Sequence, residues 1–372
     1  MKNWKRWLLA ILLTLVIAFV YYYINLPALN IHSAGFWCFV ILMVFVFAIV
    51  LSFRSVWKSG HVSFGKKGLD IQKGTMGPYR YLFYLGGVLL LIFLIGSVLS
   101  SPIINAKKYQ KLMQVEERDF TADIKEVDFN TIPLLDRDSA AILGSRKMGS
   151  MVDMVSQFEV ADDYTQINVS GKPVRVTPLM YASPIKWLTN QKNGIPAYIQ
   201  IDMTTQDTEC VKLTEGIKYS ESEMFNRYIW RHIRFRYPTY IFADQIFFEI
   251  DDEGTPYWIC PVKKFNIGLF GGVTVGRVVL CNAITGECTD YQADEVPTWV
   301  DKVYQAELLM QLYDYHGMLQ HGYLNSVLGQ RDCLQTTNGY NYIAMNDDVW
   351  VYSGVTSVSG DQSNVGFVLM NQ

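Results

Sequence analysis

The sequence predicts an α+β protein: an N-terminal bundle of three transmembrane helices, followed by tandem modules of one helix packed on antiparallel hairpins. Two observations carry this. Three apolar runs without a charged side chain fill the first hundred residues. Beyond them, Gly171-Lys-Pro-Val-Arg-Val-Thr-Pro178 returns as Gly254-Thr-Pro-Tyr-Trp-Ile-Cys-Pro261 with the same G-x-P-x4-P spacing, and a weaker copy stands at Gly339-Tyr-Asn-Tyr-Ile-Ala-Met345. A long internal period marks a string of similar units.

The apolar runs are Trp7–Ile24, Phe36–Phe53 and Tyr81–Ser101. A helix of about 20 residues crosses a hydrocarbon core of roughly 30 Å. Gly86, Gly87 and Gly96 in the third run suit close helix packing, and Trp4, Trp7 and Tyr21–Tyr23 suit the interfacial belts. Lys2, Lys5 and Arg6 precede the first run, and Arg54, Lys58, Lys66, Lys67, Lys73 and Arg80 crowd the second loop, while residues 25–35 carry no Lys or Arg. The positive-inside rule then places the N-terminus and the 54–80 loop in the cytoplasm and residues from about 102 on the outer side of a cell membrane. Residues 1–104 hold nine Lys/Arg and one Asp, which leaves 23 basic and 34 acidic residues in the remainder. An acidic outer region argues against a nucleic-acid partner, which needs a basic footprint.

The expected organisation is a membrane anchor over 1–104 (spans 7–24, 36–53 and 81–101), a stalk and opening strand over 105–132, and modules over 133–216, 217–296 and 297–372, the third cut short. Helices are expected at Leu134–Gly144, Ser220–Ile233 and Thr298–Tyr315, two of them just after Pro133 and Pro297, where proline suits a helix start. A hairpin follows each: 164–168 with 174–176 around Ser170-Gly171, 245–250 with 256–260 around Asp251–Gly254, and 332–335 with 340–345 around Asn338-Gly339. A second strand element runs through Ala197–Asp202 and Arg277–Asn282, each closed by Asp or Asn and a threonine two or three residues on, a tight-turn composition. In the third copy only Gly366–Asn371 corresponds, so that strand is expected to present an open edge.

Around Asn282, Thr285 and Gly286 the pattern resembles PepSY-type domains, small exofacial α+β modules whose second hairpin carries an Asp-x-x-Thr-Gly turn. The resemblance covers parts of residues 193–296. Together with the three spans, the arrangement also resembles three-span membrane proteins of Gram-positive bacteria. It implies binding or inhibitory modules acting on surface partners, and it brings no catalytic residues.

Candidate chemistry is sparse. Arg227, Arg231 and Arg234, at i, i+4 and i+7 of the second expected helix, read as one cationic face for an anionic wall polymer, a lipid headgroup or an acidic face of the protein itself, or as a solvated face with a Glu223–Arg227 pair. Leu269 and Phe270, in Gly268-Leu-Phe-Gly-Gly272, read as an apolar lip for a partner or as an ordinary connection. His316 and His321 are five apart, which misses the helical i,i+4 spacing of metal ligands; Asp314, His316 and Ser326 could be cast as a hydrolase triad, with no G-x-S-x-G to support it. The acidic pairs Asp162-Asp163 and Asp347-Asp348, and Asp251–Glu253, suit turns rather than calcium loops. Cys281 and Cys288 flank a turn whose length decides whether they face each other. No metal, cofactor or catalytic residue is expected. The function expected is a membrane-anchored exofacial binding or scaffold protein of the bacterial envelope; the alternative is an exofacial hydrolase.

Overall fold

The computed structural model describes residues 3–59, 61–65, 68–72, 80–119, 135–169, 171–345, 348–357 and 364–372. Two compact units emerge: residues 1–101 with 268–271, and residues 102–267 with 272–372. Parts of the expected stalk and opening strand (120–132), Pro133, Ser170, Asp347 and the loop lysines Lys66, Lys67 and Lys73 lie outside the described residues.

The first unit holds α1 (Asn3–Asn25), α2 (Ala34–Ser59) and α3 (Arg80–Leu99), each long and apolar enough to cross a membrane. The chain is thus a membrane-anchored α+β protein. Where a plain basic loop was expected, β1 (His61–Gly65) pairs antiparallel with β2 (Gly68–Gln72). Gly86 lets α2 and α3 close up, because a Cβ there would stand 2.8 Å from the Phe45 ring. The segment 268–271 folds with these helices. Ser100 Oγ accepts from the Leu269 and Phe270 amides (2.9 and 3.2 Å), and His32 Nδ1 donates to the Leu269 carbonyl (2.8 Å). The Phe270 ring meets Phe93 edge-on at 5.1 Å, and a Cβ on Gly96 would come within 2.9 Å of Leu269. Leu269 and Phe270 are therefore half-buried by specific partners, not an open lip.

The second unit is built on three antiparallel sheets. In the first, β3 (Phe158–Val160) and β4 (Thr165–Val169) both pair with β5 (Lys172–Tyr181), which continues to β6 (Ile195–Asp202) and β7 (Thr208–Ile217). The second sheet has the order β11 (Cys288–Gln292), β10 (Gly271–Asn282), β9 (Pro256–Ile267), β8 (Phe247–Ile250). In the third, β14 (Asp348–Ser357) pairs with β12 (Leu334–Thr336), β13 (Asn341–Met345) and β15 (Asn364–Asn371). One apolar core joins the first sheet to one face of the second through Ile199, Ile201, Phe248 and Trp258. A smaller core covers the other face through Ile259, Val278 and Leu280.

Helix positions depart from expectation for local reasons. Pro102–Gln110, expected as stalk, forms α4, whose buried Tyr109 meets Tyr315 at 4.8 Å. The helix expected at 134–144 is α5 (Arg137–Gly149), started by Asp136, whose carboxylate accepts from the Ser139 amide at 2.7 Å. An unexpected α6 (Pro184–Asn190) follows the Ser183 cap with proline in its first turn. The helix expected over 220–233 is only α7 (Ile229–Arg236), because the Ser220 amide and carbonyl bond to Arg227 and Ile229 and close the preceding loop. The third helix begins at Ala306, not Thr298: α8 is Ala306–Met318. Upstream, the amide of Asp301 donates to Glu249 and that of Tyr304 to the Gln372 carbonyl, so those donors serve tertiary contacts instead of a helical ladder.

The third hairpin is also corrected. Residues 332–335 do not pair with 340–345; β13 pairs with β14, and β12 joins the far end of β14. Asn338-Gly339 is a strong turn composition, and Gly339 does take φ +89°, but it precedes β13 and is not a hairpin tip. β15 adds to β14, and beyond it Gln372 is held by Tyr304 through paired backbone and side-chain hydrogen bonds (2.8 and 3.0 Å).

Candidate functional site

A cavity of about 1180 Å³ lies within the second unit, lined from all three sheets and from the starts of α5 and α8. Leu179, Met203, Phe248, Trp258 and Leu369 give it apolar walls. Its rim is polar: Arg137 pairs with Asp163 at 2.8 Å, and Tyr340 donates to Glu307 at 2.7 Å. The lining is that of a site for a small organic ligand, and the volume lies somewhat above the usual range of about 300–1,000 Å³.

Two basic side chains stand in this wall. Arg175, on β5, is 8% exposed, and among the described residues its side chain makes one hydrogen bond, from Nε to the Leu135 carbonyl (3.2 Å). The acidic groups that act on it are the Tyr342 phenol and then Asp136, which is exposed and engaged as the cap of α5. Lys302 is 3% exposed; its ammonium donates to Gln372 Oε1 and lies 3.8 Å from the centre of the Tyr342 ring. Burial pushes Lys302 down to about 7 against the pull of Glu249 and Asp301, and Arg175 pushes the same way by repulsion. Glu249 is fully buried and moves up to about 8, chiefly by burial, with Asp301 adding repulsion. An anion beside them would attract the Arg175 guanidinium and favour the protonated form of Lys302, because low polarity strengthens that attraction.

Two further polar atoms lack a hydrogen-bond partner among the described residues, Tyr164 Oη and Gln166 Nε2, and both residues line the cavity. Burial lifts the Tyr164 hydroxyl to about 12, so it is a neutral donor near neutral pH. Buried polar atoms of this kind call for a partner beyond the described residues, and water or a ligand in the cavity would supply one. None of these four residues stood out in the sequence. Alternation marks β4 and β5 as strands, but a charged or polar residue on a strand reads as outward-facing until the neighbouring sheet is known to cover it.

The residues singled out from the sequence are scattered. Arg227 lies in a 3₁₀ turn before α7 and donates to the Gln191 carbonyl; Arg231 donates to the Phe225 carbonyl at 2.7 Å; Arg234 is buried and donates to the Tyr240 carbonyl. The three guanidiniums thus close loops and form no single exposed face. Glu223 does not pair with Arg227: it is buried and accepts from Tyr181 and Trp187, both at 2.7 Å. Asp314 accepts from Thr336, His316 contacts the Gln110 carbonyl, and Ser326 donates to Tyr323, so each member of the imagined triad is bonded elsewhere. His321 pairs with Asp332 at 3.1 Å. Asp251 accepts from the amides of Glu253 and Thr255, a turn role. Cys281 and Cys288 face each other in register as free thiols. Comparison of the chain with known protein families, characterised proteins and solved structures returns no match, so its function is argued from this geometry alone.

Proposed function

We propose that this chain is a membrane-anchored, exofacial binding protein that takes an amphiphilic anion, an apolar body with one acidic head, into the cavity of its second unit. The observation that carries this is Arg175: a buried, permanently charged guanidinium in a largely apolar cavity, whose one carboxylate neighbour among the described residues is a capping carboxylate at the surface. Lys302 adds positive charge but already has Glu249 and Asp301 near it. Exofacial placement is supported by the basic residues that flank the first two apolar helices.

The tandem, PepSY-like reading of the second unit belongs to the same proposal. Its support is that the turns after β6 and β10 carry matching hydrogen bonds, and that each follows a strand in the third place of a four-strand meander. A binding role suits such an array, whose copies together frame one cavity.

The test is a titration of the full-length protein in nanodiscs with a long-chain fluorescent carboxylate and with its neutral alcohol analogue. The carboxylate is expected to bind saturably and the alcohol weakly. Arg175→Gln should weaken carboxylate binding about 10–100-fold, the worth of a charge-assisted hydrogen bond of about 1.5–3 kcal/mol, and Arg175→Lys should restore part of it. Equal binding of both probes, or carboxylate binding indifferent to Arg175→Gln, overturns the proposal.

A further inference from the structure

The second sheet holds a cluster that the cavity does not use. Cys281 and Cys288 are too far apart in sequence for a CxxC motif, yet register sets them directly opposite on β10 and β11. The adjacent bond from the Asn282 amide to the Glu287 carbonyl (2.8 Å) makes theirs a non-hydrogen-bonded pair, the kind in which opposed side chains are closest. His232 reaches the same place from α7, whose Ile229 and Ile233 are fully buried and fix the helix on the sheet. A ring nitrogen of His232 and the two sulfurs all lie within 4.8 Å of one another.

From this geometry we infer that His232, Cys281 and Cys288 form a binding site for a thiophilic divalent cation of the zinc class. The ligand types decide the class: two sulfurs and an imidazole suit zinc, whereas calcium and magnesium take oxygen. Zinc bonds of about 2.3 Å to sulfur and about 2.0 Å to nitrogen place tetrahedral ligand atoms roughly 3.5 Å apart, so side-chain rotation of about 1 Å gathers the three.

One ring nitrogen of His232 has a carbonyl partner of the kind that a metal-bound histidine takes through its other nitrogen. Nε2 lies 2.7 Å from the Gly286 carbonyl, which can only accept, so Nε2 carries the proton and Nδ1 keeps the lone pair. The imidazole also packs on the Tyr219 ring at 4.3 Å, which restricts its rotation. Cys281 is buried, and Cys288 is half-buried on β11, the edge strand of its sheet. Binding exchanges the two thiol protons for the cation, one proton per sulfur, with no change of oxidation state.

The test uses the full-length chain, reduced and handled without oxygen, titrated with Zn²⁺ against a chelator and separately with Co²⁺. One ion per chain is expected, with a thiolate-to-cobalt charge-transfer band and a Zn²⁺-dependent rise in the unfolding temperature. Cys288→Ser and His232→Gln should each weaken binding at least 10-fold and remove that rise, while Cys333→Ser, a cysteine outside the cluster, should change neither. Binding that survives both cluster variants, or cobalt binding without the sulfur band, overturns the inference. So does a Cys281–Cys288 disulfide whose reduced form takes up no metal.

Discussion

The turns 202–207 and 282–287 share one backbone design and differ in what stands over it. In each, the first residue accepts at Oδ1 from the second and third amides that follow, at 2.8 and 2.9 Å in one and 2.9 Å twice in the other. In each, its own amide donates to the last residue of the turn, its carbonyl accepts from residue 206 or 286, and that residue takes positive φ. Around the first turn stand the Ile201–Thr208 pair and an exposed Gln206; around the second stand Cys281–Cys288 and a buried Gly286 beneath Tyr219 and His232. The backbone thus fixes the geometry, and the side chains that roof it decide whether it carries chemistry.

Swapping the fifth residue of the turns gives the largest expected effect. Gly286→Gln should destabilise the protein by about 2–4 kcal/mol, since a side chain at φ +74° is strained and its Cβ would stand 2.4 Å from the Tyr219 ring. Chemical denaturation followed by fluorescence would measure it; a loss under about 1 kcal/mol would mean that Tyr219 is not a fixed roof. Next, Asp202→Ala and Asn282→Ala should each cost about 1–2 kcal/mol through the lost turn bonds, with similar values if the turns are equivalent.

Acid should separate them. Burial works to raise the Asp202 carboxyl, but hydrogen bonds from Thr204 and Thr205 outweigh it and hold the group below its ordinary range. A carboxyl lowered on folding contributes stability above its unfolded value, and that contribution is lost as pH falls through the folded value. Unfolding temperature should therefore drop less on acidification below about pH 4 in Asp202→Asn than in the wild type, whereas Asn282 has nothing to titrate. The smallest effect is Gln206→Gly, expected to stabilise by about 0.5–1 kcal/mol by relieving φ +63° at an exposed position.

This contrast also shows what sequence makes legible. Asp202 and Asn282, each with threonine close behind, announce their turns, and Gly254 and Asp251 announce another, because the bonds involved are local. The apolar helices were equally plain. Non-local partners were not. Thr298–Gln305 reads as helix until Glu249 and Gln372 are seen to occupy its donors. β13 reads as the partner of 332–335 until β14 arrives. Arg175 and Lys302, distant in sequence, meet in one cavity only because sheets from different parts of the chain converge there. His232 lacks any motif spacing to the cysteines it joins.

The central claim is that the cavity around Arg175 takes an amphiphilic anion. Native mass spectrometry of the full-length protein, released from its own membranes without added ligand, tests it most directly. The wild type is expected to carry a bound acidic amphiphile that dissociates on activation and is missing from Arg175→Gln. A wild-type protein without such an adduct, or an adduct retained equally by Arg175→Gln, would contradict the claim.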